Sequence, residues 1–372
     1  MIAFYFTGIV DFQDMFTTLI ESINKGYKPW ICIFDCLSKK RQFYYYEKNE
    51  IINFIKDTLA KNNIVIPESD IDFFGQNDKI KFENIFDKRK PNVAFIQGVW
   101  HKYPTWIPKV PDKIIHFTWS YDAIQTFHRS PYKNKIILNI ARYKIDEDFL
   151  FKNKVQNCLY LGNTRLSQFK YNNNSNTEKL IKDISSKKVC FIPERWFRKE
   201  EDESTLVNNI QEIIIFLKQA GYTVVWKRRE KGYPFNESHT VLHKLAIDAK
   251  PDIVIERDLF FPSAMMTMFK ESHLILLLGI TSSFVDSAYI KNAENIIVYN
   301  SDQSNNHNKF AIDTLKQELS GKVTIVTSGI DEIKEKITSI KDRPSKNKDY
   351  KHKIEIEADK NIINYLVENK II

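Results

Sequence analysis

Residues 271–302 read ESHLILLLGITSSFVDSAYIKNAENIIVYNSD. The unbroken apolar run at 274–278 has the character of a parallel strand covered on both faces; a strand with one face in water would alternate. Gly279, Ile280, Thr281, Ser282 and Ser283 then end the run with small and hydroxyl-bearing residues. Phe284, Ala288 and Tyr289 mark one helical face, and Ile296, Ile297, Val298 and Tyr299 form a second buried strand. Strand, turn, helix, strand is the unit from which parallel α/β sheets are built. The turn lies at a strand's carboxyl end and a helix N-terminus, where unbonded N–H groups and the helix dipole favour an anion. Its hydroxyls also suit ordinary helix capping, and both readings stand.

The same rhythm runs outward from this stretch. Residues 2–6 are an apolar opening strand. A helix follows with Phe16, Leu19, Ile20 and Ile23 at helical spacing, and Gly26 stops it. Residues 30–34, 93–97 and 114–117 read as further strands, and 51–59 as a helix. Beyond a polar loop at 171–176 the pattern returns. A strand at 188–192 is followed by Ser204 as a cap, then Leu206, Ile210, Ile213, Ile214 and Leu217 in one stripe, Gly221 as the stop, and a strand at 223–226. Strands separated by helices imply right-handed crossovers and a mostly parallel sheet. The expectation is an α/β protein of two Rossmann-like domains facing across a cleft, 1–170 and 177–340. Residues 341–372 would add a basic connector and a docking helix carrying Ile354, Ile362, Ile363 and Leu366. Ligands of open α/β sheets bind at the carboxyl ends of strands, where residues 279–283 fall.

Composition sets the outer bounds. At 372 residues, with 43% hydrophobic residues, 26 Phe and 17 Tyr, the chain can fill two cores and is not a disordered one. Only 10 Gly argues against glycine-rich loops as the binding device. A net charge of +8 favours anionic partners, although the positive charge is scattered and part of it lies in the tail from Lys341 to Lys353. Cys32, Cys36, Cys158 and Cys190 form no zinc pattern and read as reduced thiols, as in a cytoplasmic protein. The N-terminus lacks a secretory pattern, and no apolar run reaches the ~18 residues of a membrane span. The expected location is the cytoplasm, with the inner membrane face open to the basic tail.

Four segments, in order, resemble the CDP-glycerol glycerophosphotransferase family, the teichoic-acid and capsule polymerases with a GT-B glycosyltransferase fold. The family's G-x-P-R-x-D turn is similar to Gly162-Asn163-Thr164-Arg165-Leu166-Ser167. Its P-T-W-R signature is similar to Pro193-Glu194-Arg195-Trp196. Its strand ending in a basic residue and His-Pro is matched by Val224-Val225-Trp226-Lys227-Arg228-Arg229. Its D-Y-S-S-x-x-x-D turn is matched by Gly279-Ile280-Thr281-Ser282-Ser283-Phe284-Val285-Asp286. The resemblance covers residues 159–302. Arg229 stands where the family has a histidine of acid/base chemistry; arginine stays protonated and cannot be that base, although it can hold a phosphate bidentately.

The resemblance implies a transferase moving a glycosyl or glycerol-phosphate group from a CDP-, UDP- or GDP-linked donor to a hydroxyl of a surface glycan or related polymer. Thr281, Ser282 and Ser283 would hold the donor phosphates, with Lys227, Arg228, Arg229, Arg165 and Arg195 supplying positive charge for the diphosphate leaving group. Asp286 would accept from ribose or acceptor hydroxyls, or simply complement the helix dipole. The base is sought in the first domain: His101, in a Trp100-His101-Lys102 turn similar to the family's Trp-His-Gly, and then Asp11. His116 and His128 are further histidines there. No cofactor and no metal are expected, since the basic groups can take a metal's electrostatic role and no Asp-x-Asp motif lies in a suitable loop. Three rivals remain: an inactive GT-B-like module binding an anionic glycan, a glucosyltransferase acting on modified DNA, and a nucleotide-sugar epimerase, which needs acids in the cleft that the sequence does not locate. Nucleic acid is the less favoured partner.

Overall fold

The computed structural model describes residues 1–7, 9–34, 48–97, 106, 108–118, 130–152, 154–155, 157–194, 204–228, 237–279, 282–299, 324–326, 329–340, 342 and 356–372. The chain divides into two compact units. One comprises Met1–Asn176, Leu259–Pro262 and Tyr350–Ile372; the other comprises Thr177–Asp258 and Ser263–Asp349.

The first unit runs β1 (Ile2–Phe6), α1 (Ile9–Asn24), β2 (Pro29–Phe34), α2 (Lys48–Lys61), β3 (Ile71–Phe74), α3 (Lys79–Arg89), β4 (Val93–Gln97), β5 (Lys113–Phe117), β6 (Ile136–Ile140), α4 (Lys144–Lys152), β7 (Cys158–Leu159) and α5 (Thr164–Ser167). Its seven strands are ordered β3-β2-β1-β4-β5-β6-β7, every pair parallel. The direction of winding reverses between β1 and β4. Each of β1, β2 and β4 is buried along its whole length, because alternate side chains enter two different cores. Phe4, Phe6, Ile31, Ile33 and Phe95 pack with Phe12, Phe16 and Leu19 of α1. Ala3, Tyr5, Trp30, Cys32, Phe34 and Ile96 pack on the opposite face with Phe82 of α3.

The second unit runs α6 (Ser175–Ile184, which begins at the end of the first), β8 (Val189–Pro193), α7 (Ser204–Gln219), β9 (Thr223–Lys227), α8 (Glu237–Asp248), β10 (Ile253–Ile255), α9 (Ala264–Glu271), β11 (Leu274–Leu277), α10 (Ser282–Ile290), β12 (Ile296–Tyr299), β13 (Thr324–Val326) and α11 (Ile330–Ile340). The strand order is β10-β9-β8-β11-β12-β13, again all parallel and reversing between β8 and β11. Four residues of the stripe predicted on α7, Ile210, Ile213, Ile214 and Leu217, pack with Cys190, Ile192, Val224, Trp226, Leu274 and Leu276, while the side chains of Ser204 and Leu206 lie outside what the structure describes. Gly221 ends that helix with φ +83°, a left-handed conformation that a side chain would strain. The last helix, α12 (Ala358–Glu368), belongs to the first unit, where Ile362, Ile363 and Leu366 join the core beside α1. Lys170 Nζ (2.5 Å) and the Tyr171 hydroxyl both donate to its fully buried Asp359. Ile354 lies outside the described residues.

Several strands lack a sequence signature. β10 and β13 have three residues each, and Asp72 and Asn139 interrupt the apolar runs of β3 and β6, so neither length nor continuity marks them out. Cys32, Cys158 and Cys190 are free thiols; Cys36 lies outside the described residues. Among the described residues no helix is long and apolar enough to cross a membrane.

The two-faced burial of β11 has a measurable consequence. Leu276→Ala should lower stability by about 2–5 kcal/mol, the range for a buried leucine whose cavity cannot collapse. Ile215→Ala, at a position 47% exposed, should cost well under that. Guanidinium unfolding followed by tryptophan fluorescence reads both.

Candidate functional site

Where a parallel sheet reverses its winding, neighbouring crossovers leave on opposite faces and open a crevice at the strands' carboxyl ends. In the second unit this point lies between β8 and β11, so the residues that matter follow Pro193 and Leu277. Gly279 follows β11 with φ +140°, a conformation that residues with side chains avoid. The next described element, α10, begins at Ser282. Ile280 and Thr281 lie outside the described residues, and only the backbone of Ser282 is described. Phe284 and Ala288 are buried against the sheet, as their spacing predicts. Asp286, one turn into the helix, is 1% exposed, so its carboxylate is part of a packed environment rather than a solvated helix face.

The basic run at the end of β9 separates into two kinds of charge. Lys227 is 8% exposed and its Nζ lies 3.1 Å from Asp258 Oδ2. Asp258 Oδ1 also accepts from the N–H of Ala264, at the start of α9. Arg228 pairs instead with the exposed Glu256, at 3.0 Å. An exposed pair contributes about 0–1 kcal/mol, whereas removing one member of a buried pair costs about 3–5 kcal/mol. Lys227 therefore holds the strand end together, while Arg228 is the more adaptable cation. Glu194, directly after β8, donates its N–H to Lys227 O, and its carboxylate lies 4.0 Å from His243 Nδ1 of α8. His243 Nδ1 accepts from Trp226 Nε1 at 3.2 Å, and its Nε2 is 3.6 Å from Glu256. Arg195 and Arg229 lie outside the described residues.

The first unit reverses between β1 and β4, and its carboxyl edge is also polar. Asp11, in the first turn of α1, accepts through Oδ2 from the N–H of Thr7 (2.8 Å) and from its hydroxyl, clamping the turn after β1. One turn on, Asp14 accepts from Arg165 Nε at 2.6 Å and from Gln97 Nε2 at the end of β4. Burial by itself would raise the Asp14 carboxyl; the Arg165 and Arg142 guanidiniums, with the two hydrogen bonds, outweigh it and hold the group below the ordinary carboxylate range. Arg165, expected among the donor-binding cations, is thus placed in an ion pair with Asp14 inside the first unit. His101 lies outside the described residues, as does His128. His116 is fully buried on β5, its Nδ1 2.8 Å from Asn139 Oδ1 on β6. Burial drives its pKa down to about 4, only partly offset by that hydrogen bond, so the imidazole is neutral at pH 7.

Asp14, Gln97, Arg142, Glu194, His243 and Asp258 escape the sequence reading. Asp14 and Arg165 are 151 residues apart, and no local pattern joins them. Among the described residues, no group of three or more His, Cys, Asp or Glu could hold a metal ion.

No protein-family model matches the sequence, and no curated protein does. Solved structures do resemble the fold. An S. aureus MnaA–UDP co-structure aligns with TM-score 0.58 and 12% identity, over 100% of this chain and 97% of that one. A UDP-GlcNAc 2-epimerase from Methanocaldococcus jannaschii, solved with UDP-GlcNAc and UDP, aligns with TM-score 0.58 and 12% identity over 99% of each chain. A putative UDP-N-acetylglucosamine 2-epimerase from Listeria monocytogenes gives TM-score 0.59 and 8% identity, over 99% of this chain and 96% of that one. At such identities the likeness establishes the fold: two Rossmann-like domains of the GT-B type. Of what the glycerophosphotransferase resemblance implied, the fold is shown and that family is not.

The buried His116 carries a pH signature. Its folded value of about 4 lies below the ordinary 6.5, so the unfolded chain takes up the proton first as pH falls. Its contribution to stability is complete above about pH 6.5 and is lost towards pH 4, by roughly 3 kcal/mol. His116→Gln should flatten the stability–pH curve by that amount, read from urea unfolding between pH 7 and pH 4.

Proposed function

We propose that this protein binds a nucleotide-activated sugar through the carboxyl edge of its second unit and breaks the bond between the sugar and the diphosphate. The reaction is glycosyl transfer to a hydroxyl acceptor. The observation that carries this reading is the turn from β11 through Gly279 into α10, at the reversal point of a GT-B fold whose neighbours include proteins solved with UDP or UDP-GlcNAc. The physical support is general: α10 has nine residues, and the N-terminus of a helix carries a partial positive charge to which a diphosphate brings charge of the matching sign.

The roles follow from the residues. Thr281, Ser282 and Ser283 donate to the diphosphate together with the backbone of the turn. Arg228 and Arg229 balance the charge that develops as the diphosphate departs, and Lys227, fixed by Asp258, adds its field from the end of β9. Asp286 orients a ribose hydroxyl. His101 deprotonates the acceptor hydroxyl. Asp11 supports that edge as the clamp of the turn after β1, since Thr7 already occupies its carboxylate. UDP-linked sugars are the preferred donors, on the ligands named for the neighbouring structures. CDP-glycerol, the donor implied by the sequence resemblance, becomes the competing ligand.

A second reading is favoured by the neighbours' own descriptions: inversion at C2 of a UDP-linked amino sugar. The two differ without an acceptor. Inversion in D2O converts UDP-GlcNAc to its C2 epimer, whereas a transferase leaves the stereocentre intact and consumes the donor only when an acceptor hydroxyl is supplied.

The first test is calorimetric titration with UDP, UDP-GlcNAc, CDP-glycerol and GDP. UDP or UDP-GlcNAc should bind at least about tenfold more tightly than CDP-glycerol, and the Thr281→Ala/Ser282→Ala double variant should weaken that binding by about tenfold or more. Arg228→Ala should weaken it while leaving stability within about 1 kcal/mol of wild type, because its pair with Glu256 is exposed. Absence of binding by every nucleotide would overturn the reading.

A further inference from the structure

His243 of α8 stands between two carboxylates and beside an indole, all within the second unit. Trp226 Nε1 lies 3.2 Å from its Nδ1. An indole nitrogen can only donate, so Nδ1 is the accepting atom and a neutral ring carries its proton on Nε2. That Nε2 faces Glu256 Oε1 at 3.6 Å, and the other oxygen of the same carboxylate, Oε2, accepts from Arg228 at 3.0 Å. Glu256 is therefore shared between an imidazole and a guanidinium. Glu194, directly after β8, lies 4.0 Å from Nδ1, its side chain 4% exposed. Both carboxylate distances are too long for strong hydrogen bonds; they are those of charges that attract once the ring is protonated. Lys227 is held by Asp258, and on α7, which packs against α8, Glu212 pairs with Lys334 and Lys218 with Asp252. Among the described residues, the charged groups facing the ring are thus Glu194, Glu256 and, through Glu256, Arg228.

We propose that His243 is a positioning residue for Arg228, acting through Glu256: an anion that engages Arg228 releases Glu256 to the imidazole, which then takes up a proton from solvent. Histidine is suited to this, since it is the side chain that changes charge near neutral pH. While Glu256 holds Arg228, a cation lies close behind that carboxylate and opposes a second charge on the ring. A bound diphosphate neutralises that cation and leaves Glu256 with one partner, which favours the imidazolium. The proton enters at Nδ1, exchanging the Trp226 contact for attraction to Glu194, while the Nε2–H stays towards Glu256. Anion binding and protonation are reciprocal, so the bound form holds more protons and affinity rises as pH falls. The inference rests on the nucleotide reading for the identity of the anion and adds the regulation of its cation.

Calorimetric titration of the full chain with UDP-GlcNAc between pH 6 and pH 8 tests it; both phosphates of this probe are esterified and keep their charge across that range. Wild type should bind about threefold or more tightly at pH 6 than at pH 8, short of the roughly tenfold per pH unit of complete one-proton linkage. His243→Gln keeps an acceptor for Trp226 and a donor for Glu256 but cannot change charge. Glu256→Gln removes the shared carboxylate at an exposed position. In both variants the change with pH should fall below about 1.5-fold. A flat wild-type profile, or one that persists in His243→Gln, overturns the proposal. A profile lost in His243→Gln but kept in Glu256→Gln overturns the route through Glu256, since the diphosphate then acts on the ring directly. If His243→Gln does not fold, Glu256→Gln decides. If UDP-GlcNAc does not bind at any pH, the nucleotide reading falls and NMR of the imidazole without ligand decides the coupling. His243 should then titrate at higher pH in Arg228→Ala than in wild type, and an equal midpoint overturns the proposal.

Discussion

A parallel strand in the middle of a sheet must be covered on both faces, and most of this structure follows from that requirement. Each central strand carries apolar side chains in both directions along its length, as in β1, β2, β4, β8 and β11. Covering both faces requires helices on both, and right-handed crossovers can supply them only if the winding reverses once within each sheet. That reversal falls between β1 and β4 in one unit and between β8 and β11 in the other. The sites therefore follow from the packing: backbone groups at the reversed strand ends lie beyond the hydrophobic layers, and polar side chains gather there.

Charge at these edges is arranged by how much water it keeps. Lys227 and Asp258 are nearly buried and each makes the other tolerable, as Asp14 and Arg165 do in the first unit. Such pairs fix geometry more than they add stability, because desolvation offsets much of their attraction. Arg228 and Glu256 retain solvent and hold each other loosely.

The likeness to UDP- and UDP-GlcNAc-bound structures at 12% identity is a likeness of backbone path. It shows the fold alone and leaves the side chains to specify what the protein does. The contrast between the edges is informative here. The second unit's edge holds a helix N-terminus and both a buried and an exposed cation, whereas the first unit's holds charges compensated within it.

The α/β alternation, the buried strands at 2–6 and 274–278, the stripe on α7 and the docking face of α12 were all legible in the sequence. Each is a local pattern of apolar residues at a period set by the backbone, and burial preserves it. The end of the apolar run at Gly279 and the start of a helix at Ser282 were legible for the same reason. The three-residue β10 and β13, and β3 and β6 with Asp72 and Asn139 in their apolar runs, were not, since such pieces borrow their conformation from the neighbours they pair with. Nor could spacing reveal that Arg165 answers to Asp14, or that Gln97 and Asn163 each spend one end of an amide on that network. Periodicity decides which residues are buried; only the folded chain decides which polar groups meet, because the charges and amides that pair there are brought together by strand order and not by sequence.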